Sequence, residues 1–276
     1  MNLVITGSSS GIGRALAERL LAQGHRVWGV ARSDQSDFAA AHPGAFGSSA
    51  GDVGRWEDAA RAAGEAAAAW PHADGLVTCA GRHGEIGRAL SADPQAWTDT
   101  IRTNLDGTFH AIRAFHPLLQ RSPRRAKIVC FSGGGATKAR VNFSAYGAAK
   151  TAVLRLVETI AAEERGTPLD INAVAPGSVN TRLTGEILAL GREIVGEAEH
   201  KAAESLKAGG GSIDAALGLV EWLLSPASDG ISGRLLAAPW DPWATLGRHA
   251  AELAPTDVYT LRRILPEERG LKFSQP

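Results

Sequence analysis

Two side chains that could move a proton lie four positions apart in the segment Tyr146-Gly-Ala-Ala-Lys150. Four positions correspond to about one helical turn, so a helix would place both side chains on one face. Lowering the pKa of a phenol from about 10 to about 7 takes roughly 4 kcal/mol. An ammonium group about 4 Å away supplies a similar amount at an effective dielectric of about 20. The pair predicts a general acid or base that serves a substrate oxygen, although an isolated pair would more often be a packed tyrosine and a solvated lysine.

A second chemical signature is the glycine-rich loop Thr6-Gly-Ser-Ser-Ser-Gly-Ile-Gly13, which lies between a predicted strand and a predicted helix. Its glycines permit a tight turn and a close approach of the backbone to a pyrophosphate, which the helix N-terminus attracts. The common pattern G-x-G-x-x-G is not met, because Leu16 takes the position of the last glycine. The loop predicts a dinucleotide site, but taken alone it is weak evidence because the chain contains 32 glycines.

The same loop also fits a different class of enzyme. Gly7-x-Ser9-x-Gly11 matches the nucleophile elbow of serine hydrolases, with Ser9 as the nucleophile. Such an elbow follows several strands that build the sheet and the oxyanion loop, whereas this segment follows the first predicted strand. No downstream Asp and His stand out as partners, so a hydrolase is the weaker hypothesis.

These loops are positioned by apolar, strand-like runs that alternate with helix-like stretches. Strands are predicted over Leu3–Thr6, Arg26–Val30, Ala45–Ala50, Gly75–Cys79, Lys127–Phe131 and Asp170–Ala175. Helices are predicted over about Ile12–Gln23, Arg55–Trp70, Pro94–Leu119 and Ser144–Arg165, with Pro117 expected to kink or end the third. The alternation predicts an α/β fold, a doubly wound parallel sheet in a single domain, with ligands beyond the carboxyl ends of the strands.

The composition narrows the classes of partner. The chain has 276 residues and no formal net charge, since 29 Lys and Arg balance 29 Asp and Glu. Nucleic acids and anionic membranes select an excess of positive charge, so neither is an expected partner. The first apolar run ends at Gly7, too early for a secretory signal, and a cytoplasmic protein is expected. Cys79 and Cys130 are expected to be buried thiols, and no Cys or His spacing suggests a metal site.

Further motifs follow the glycine loop in an order typical of one family. They are Asp52-Val53, Thr78-Cys79-Ala80-Gly81, Asn104-Leu105-x-Gly107, the segment from Tyr146 to Lys150, Pro176-Gly177-Ser178-Val179-Asn180-Thr181 and the turn Ser225–Gly233. Over roughly residues 2–237 the chain resembles the short-chain dehydrogenase/reductase family, whose fold is Rossmann-like. The resemblance implies an enzyme that interconverts an alcohol and a carbonyl on a small organic substrate by hydride transfer to or from a nicotinamide.

The resemblance also implies which residues bind the cofactor and which react. The cofactor-binding residues would be Thr6, Gly7, Ser9, Ser10, Gly11, Ile12, Gly13, Arg32, Asp52, Val53, Cys79, Ala80, Gly81, Tyr146, Lys150, Pro176, Gly177, Val179 and Thr181. Tyr146 would be the general acid/base, Lys150 would also hold the nicotinamide ribose, and Asn104 would anchor a water of a proton relay.

One position departs from the catalytic pattern of the family. The family's catalytic serine usually lies thirteen residues before the tyrosine, where this chain has Gly133 after Ser132. Ser132 could take the role through a shifted loop, backbone N–H groups of the glycine run could replace it, or catalysis could be weak or absent. We predict Ser132 as the substitute. A cofactor-binding regulatory protein with little or no catalysis is the alternative function.

The end of the second predicted strand bears on the choice of cofactor. NAD-specific relatives have an acidic residue there, whereas this chain has Ala31 followed by Arg32. A guanidinium suits a 2′-phosphate, so the resemblance implies NADP(H), with NAD(H) as the less favoured cofactor. Arg32 could instead be a loop charge, and Asp34 or Asp37 could turn towards the ribose.

Two segments extend beyond these motifs. Residues 182–211 lie where the family places its substrate-binding helices, and their composition does not reveal the substrate. Residues 239–276 form an extension after the dinucleotide-binding and catalytic domain of residues 1–238. The extension is expected to pack on the core or on a neighbouring subunit, although its aromatic and basic residues could instead close over a polar or anionic substrate. The resemblance also implies a homotetramer or homodimer, built partly on the helices around 94–119 and 144–165.

Overall fold

The computed structural model describes residues 1–209 and 212–273 and contains a seven-stranded sheet. Its strands are Asn2–Thr6 (β1), Arg26–Ala31 (β2), Phe46–Ala50 (β3), Gly75–Thr78 (β4), Ala126–Phe131 (β5), Leu169–Ala175 (β6) and Leu235–Ala237 (β7). Its α-helices are Gly11–Ala22 (α1), Ser36–Ala41 (α2), Trp56–Ala69 (α3), Pro94–Ile101 (α4), Gly107–Leu119 (α5), Ser144–Glu163 (α6), Arg182–Leu190 (α7), Arg192–Val195 (α8), Glu197–Lys207 (α9), Asp214–Leu224 (α10) and Ala250–Leu253 (α11). Residues 210–211 of the predicted substrate segment and residues 274–276 of the predicted extension lie outside the described residues.

Neighbouring strands run parallel in the order β3-β2-β1-β4-β5-β6-β7. The chain adds β2 and β3 on one side of β1 and the later strands on the other, so the winding reverses between β1 and β4. At such a reversal, the loops that leave the two strands turn to opposite faces and open a crevice at their carboxyl ends. The predicted doubly wound, Rossmann-like α/β architecture is confirmed.

Helices cover both faces of the sheet, because successive strand residues point to opposite sides. In β1, Leu3 and Ile5 pack in one cluster with α1 and α10, while Val4 packs in the other with α3, α5 and α6. All six residues of β5 are buried, which is typical of a strand that is covered on both faces. The carboxyl edge of the sheet is therefore a rigid platform for the loops that follow the strands.

The prediction of one continuous helix over Pro94–Leu119 is wrong in the middle of that range. A π-helical turn, Arg102–Asp106, separates α4 from α5. Asn104 lies in this turn, fully buried, and its Nδ2 donates to the main-chain oxygen of Thr100 at 2.9 Å. Such turns recur at functional sites, where they redirect a side chain. Pro117 lies inside α5, close to its end.

The segment after β7 folds back onto the domain in its described part. Arg234 is buried next to β7, and its guanidinium donates to main-chain oxygens of residues 253–258 at distances from 2.6 to 2.9 Å. The Leu235 N–H donates to the main-chain oxygen of Tyr259 at 2.8 Å, so this segment covers the outer edge of β7. Trp243 packs its ring against Trp222 of α10.

Both cysteines are free thiols; Cys130 is buried in β5, whereas Cys79, just past β4, is partly exposed rather than buried as predicted. Burial raises the pKa of Cys130 to about 11, and burial also raises the pKa of Cys79. Both groups are therefore protonated at neutral pH, and a buried protonated thiol is a poor nucleophile.

Candidate active site

The loop between β1 and α1 forms a backbone cradle that requires glycine. Gly7 and Gly11 have φ values of 71° and 56°, in the left-handed region. A Cβ on Gly13 would lie 2.4 Å from the main-chain oxygen of Gly7, which is too close for any side chain. Within the described part of the chain, the side chain of Ser10 at the N-cap of α1 bonds none of the first N–H groups of the helix. Free N–H groups at a helix N-terminus attract phosphate, so the cradle fits the pyrophosphate of a dinucleotide.

The loop after β4 closes the other side of this cradle. A Cβ on Gly7 would lie 2.7 Å from the nitrogen of Ala80, whose N–H donates to Thr6 Oγ1 at 3.3 Å. Gly81 lies against Asn104, because a Cβ there would be 2.9 Å from Asn104 Oδ1. Asn104 Nδ2 also donates to the main-chain oxygen of Arg82 at 2.8 Å. The π-helical turn therefore holds this loop in place through one buried amide.

Tyr146 and Lys150 both lie on the buried face of α6. Lys150 Nζ donates to the main-chain oxygen of Phe131, at the end of β5, at 2.8 Å. The same nitrogen is 5.8 Å from the centre of the Tyr146 ring. Burial lowers the pKa of Lys150 to about 8. The ammonium group thus lies between the strand end and the phenol.

The Tyr146 hydroxyl lies against the main chain of Gly133, just past β5. A Cβ on Gly133 would be 2.4 Å from the phenolic oxygen, so the hydroxyl occupies the space that a side chain would need. Burial raises the pKa of Tyr146, and the Arg140 guanidinium opposes this rise. The lowered pKa that the Tyr–Lys spacing predicts is not found, because the loss of hydration outweighs the nearby positive charge. The phenol is therefore protonated at neutral pH, the form that can donate to a carbonyl oxygen.

Ser132, the predicted substitute for the catalytic serine, is buried directly before Gly133. Its N–H donates to the main-chain oxygen of Val174 at 2.8 Å and continues the pairing of β5 with β6. Its hydroxyl is buried without a hydrogen-bond partner among the described residues. Buried hydroxyls are rarely unpaired in folded proteins, so Ser132 remains a candidate hydrogen-bond donor.

Sequence reasoning missed His83, which packs against the candidate catalytic tyrosine. The centre of its ring lies 5.0 Å from that of Tyr146 and 5.3 Å from that of Phe143, edge-on in both cases. Burial lowers the pKa of His83 to about 4, so the imidazole is neutral at pH 7. In the sequence, only its position two residues after Gly81 could have indicated that His83 lies near the site, because the histidines are scattered along the chain.

The loop between β5 and α6 anchors the helices α7 to α9, a second feature that the sequence did not reveal. Arg140 donates to both carboxylate oxygens of Glu199 on α9, at 2.8 and 2.7 Å, and these bonds lower the pKa of that carboxyl group. The guanidinium also stacks 3.7 Å above the ring of Phe143. Asn142 Nδ2 donates to the main-chain oxygen of Ile194 at 2.8 Å. These contacts hold the predicted substrate segment against the wall that carries Tyr146.

Two other predicted cofactor segments follow the strands β2 and β3. Arg32 is exposed just past β2. Asp52 and the buried Val53 come just past β3, and Asp52 Oδ1 accepts a hydrogen bond from the Gly54 N–H at 2.9 Å. Because β2 and β3 are parallel neighbours, both segments lie at the same edge of the sheet as the glycine cradle.

The segment after β6 reaches the cradle from the other side. Gly177 has a φ of 77° and packs against Pro239, where a Cβ would meet the proline ring at 2.5 Å. Thr181 caps the N-terminus of α7, and Thr184 Oγ1 donates to the main-chain oxygen of Val179 at 3.1 Å. The Thr181 side chain lies 3.8 Å from where a Cβ of Gly11 would be, so this segment borders the glycine loop.

Comparison with known proteins is decisive for the family. The family model of short chain dehydrogenases matches residues 1–189. The chain belongs to the short-chain dehydrogenase/reductase family. Galactitol 2-dehydrogenase (L-tagatose-forming) of Cereibacter sphaeroides is 35% identical to this short-chain dehydrogenase/reductase over 184 residues, which cover 65% of this chain and 72% of that protein. Human dehydrogenase/reductase SDR family member 2, mitochondrial, is 30% identical over 239 residues, covering 85% and 83%.

A solved structure supports the same assignment. The ligand-free aldohexose dehydrogenase of Thermoplasma acidophilum is 26% identical and superposes with a TM-score of 0.73, covering 86% of this chain and 91% of that one. The short-chain dehydrogenase/reductase described here is thus an NAD(P)-dependent oxidoreductase that acts on small molecules. Family membership favours neither a hydrolase built on Ser9 nor a regulatory protein without catalysis. Among the described residues, no helix is long and apolar enough to cross a bilayer.

Proposed function

We propose that this enzyme interconverts an alcohol and a carbonyl group with NADP(H), and that Tyr146 is its general acid/base. The observation that carries the proposal is the buried phenol at the carboxyl edge of the sheet, with its hydroxyl against Gly133 and the Lys150 ammonium beside it. The nicotinamide, when bound, supplies or accepts the hydride. Tyr146 gives the proton to the carbonyl oxygen during reduction, or takes it from the alcohol during oxidation.

The other residues of the site hold charge and protons in place. The Lys150 ammonium favours the phenolate when the proton has left Tyr146, and it binds the ribose of the cofactor. Asn104, which is fixed by bonds to two main-chain oxygens, anchors a water that connects the site with solvent. The cradle of Gly7, Gly11 and Gly13 binds the pyrophosphate.

Replacement of the phenolic hydroxyl tests this function directly. Tyr146→Phe retains the ring that packs in α6 and removes the only group that exchanges a proton with substrate. Turnover should fall by about two to four orders of magnitude, the usual contribution of a general acid/base. The affinity for NADPH, followed by fluorescence, should change little. A Tyr146→Phe protein with near-normal turnover would show that another group handles the proton.

The preference for NADP(H) rests on the residues after β2. Arg32 is exposed there, free of the core and able to bond a 2′-phosphate with two N–H groups. Asp34, which could have received a ribose hydroxyl, instead accepts hydrogen bonds from Ser36 N and Ser36 Oγ at 3.0 and 2.6 Å. These bonds lower the pKa of Asp34 and turn its carboxylate to the start of α2. The Arg32 guanidinium is therefore better placed than the Asp34 carboxylate to bind the ribose end of the cofactor.

Dissociation constants for the two cofactors test this preference. We expect NADP to bind at least about tenfold more tightly than NAD, since one charge-assisted pair contributes roughly 1.5 kcal/mol or more. Arg32→Ser should remove most of the difference. Arg124→Ser is the matched control, because Arg124 is exposed in the loop between α5 and β5 rather than after β2. Equal or tighter binding of NAD by the wild-type protein would contradict the preference.

We also propose a cytoplasmic homodimer or homotetramer that uses the surfaces of α4, α5 and α6. Family resemblance is the support for this assembly, and Phe109 on α5 is an apolar side chain that is 45% exposed. Sedimentation equilibrium would give the number of subunits, and a monomer at micromolar concentration would rule the assembly out. Residues 1–238 would then form the cofactor-binding and catalytic domain, and residues 239–276 its extension.

A further inference from the structure

The side of Tyr146 that faces α7 to α9 carries a polar group that the proposed chemistry does not use. His83 lies there, edge-on to the rings of Tyr146 and Phe143. The same wall includes Ile187 of α7 and Val195 of α8, which pack in one apolar cluster with Tyr146. The imidazole thus lies beside the phenol and next to apolar side chains of α7 and α8.

One nitrogen of this imidazole lacks a partner. The Nδ1 atom of His83 is buried without a hydrogen bond to any residue that the structure describes. Glu186 Oε2 on α7 is 3.9 Å away, which is beyond hydrogen-bonding distance. Buried side-chain nitrogens are nearly always bonded in folded proteins, and an exception indicates a ligand or an ordered water. The His83 side chain is only 5% exposed, so bulk solvent does not readily satisfy it.

The charged groups around His83 are already paired with one another. Arg140 bonds Glu199 through both carboxylate oxygens, and Arg182 pairs with Glu186 along α7. His83 itself is neutral at pH 7, because burial lowers its pKa to about 4. A neutral imidazole offers one donor and one acceptor. Because the charges of the neighbouring Arg and Glu side chains are already balanced within their ion pairs, this imidazole suits an uncharged hydroxyl or carbonyl oxygen better than a carboxylate or phosphate.

We infer that His83 binds the substrate through a hydrogen bond to an uncharged oxygen next to the one that Tyr146 serves. The inference rests on the proposed function and names its substrate class, which is hydroxyketones and vicinal diols in preference to ketones and alcohols with a single oxygen. The Tyr146 hydroxyl lies against Gly133, and His83 contacts the ring of the same phenol, so the imidazole and the reacting hydroxyl belong to the same wall of the site. A buried group that bonds a substrate hydroxyl discriminates against an analogue without it, because the group is then left unpaired.

Acetoin and butanone, which differ by one hydroxyl group, provide the test. His83→Phe keeps an aromatic ring against Tyr146 and Phe143 and removes both nitrogens. It should lower the ratio of kcat/KM for acetoin to that for butanone about tenfold, the effect of one lost hydrogen bond. His83→Gln keeps a donor and an acceptor and should return part of the ratio. A ratio that is unchanged in His83→Phe overturns the inference.

The Tyr146→Phe variant separates this result from the proposed function. If that variant loses turnover of both ketones while His83→Phe keeps the wild-type ratio, the proposed function stands and the role of His83 falls. If the wild-type enzyme reduces neither ketone, the nitrogen-15 shifts of the His83 imidazole decide the question. A shift on addition of acetoin to the protein with NADP, absent from the His83→Gln spectrum, supports the hydrogen bond. No shift at saturating acetoin overturns it.

Discussion

Lys150 keeps an ammonium group where water cannot hydrate it. The side chain is 4% exposed, and burial lowers its pKa from 10.5 to about 8. At pH 7 the folded protein still holds this proton, at a cost that the unfolded chain does not bear. A pKa difference of this size corresponds to roughly 3 kcal/mol of free energy. A buried lysine of this kind therefore opposes folding.

Removal of this charge should make the protein more stable and inactive. At pH 7 we expect Lys150→Met to raise the free energy of unfolding by about 1–3 kcal/mol. This range allows for the hydrogen bond that the main-chain oxygen of Phe131 loses in the variant. Between pH 8 and 10.5 the unfolded chain binds this proton and the folded wild-type protein does not. Wild-type stability rises with pH across that window, so the advantage of the variant shrinks. Urea unfolding at pH 7 and at about pH 9.5 measures both effects, and a less stable variant at pH 7 would contradict the argument.

Gly133 and Ser132 lie directly after β5, where Gly133 is next to the Tyr146 hydroxyl. A Cβ at Gly133 would overlap the phenolic oxygen at 2.4 Å, whereas a Cβ at Gly134 would meet nothing within 4 Å. Gly133→Ala should therefore displace the phenol and lower kcat by at least about tenfold, and Gly134→Ala is the matched control.

If Ser132 bonds the reacting oxygen, as we propose, Ser132→Ala should cost about two orders of magnitude in kcat. A silent Ser132→Ala together with an inactive but folded Gly133→Pro would assign the role to the main chain.

At the scale of elements, the strands could be predicted because their apolar runs are short and bounded by polar or glycine residues. Even Phe46–Ala50, which is interrupted by glycine and serine, forms a strand where the pattern of alternation requires one. The break between α4 and α5 could not be predicted. Apolar residues recur across Arg102–Asp106 at helical spacing, and the π-helical turn depends on bonds that Asn104 makes to a distant loop.

The candidate site, like the fold, could be predicted from the sequence only in part. Motifs with a fixed spacing, such as Tyr146 and Lys150, are local, so the sequence contains their geometry. His83 is 63 positions before Tyr146, and Arg140 is 59 positions before Glu199. No local pattern links residues at such separations, because each pair meets only through the tertiary packing of elements that are far apart along the chain. Residues that meet only through distant contacts are therefore harder to find in the sequence than a pair at a fixed local spacing.

At the scale of the whole molecule, side chains of the domain attach the described part of the extension through hydrogen bonds to its main chain. Arg234 holds residues 253–258, and the Leu261 N–H donates to Glu158 Oε1 of α6 at 2.5 Å. Arg155 of α6 also donates to the main-chain oxygen of Leu261. The carboxyl-terminal segment thus bridges β7 and α6, on the side of the sheet away from β3.

Loss of the Arg234 guanidinium should release this segment. Arg234→Ala leaves several carbonyl oxygens without a donor, and bonds to a charged group contribute about 1.5–3 kcal/mol each. We expect the free energy of unfolding to fall by at least about 2 kcal/mol, and trypsin to cut first within the extension. Arg124→Ala, in the loop between α5 and β5, serves as the control for the loss of an exposed arginine. Stability within about 0.5 kcal/mol of wild type would show that the segment is held by other contacts.

The hydrogen bond from Leu235 to Tyr259 has a practical consequence for anyone who shortens the chain. A terminal strand of a parallel sheet exposes a row of unsatisfied amides that another polypeptide can adopt as a template. The extension occupies part of that row along β7. A chain that ends soon after β7 would offer this edge to its neighbours at high concentration, and association between sheets would then compete with refolding.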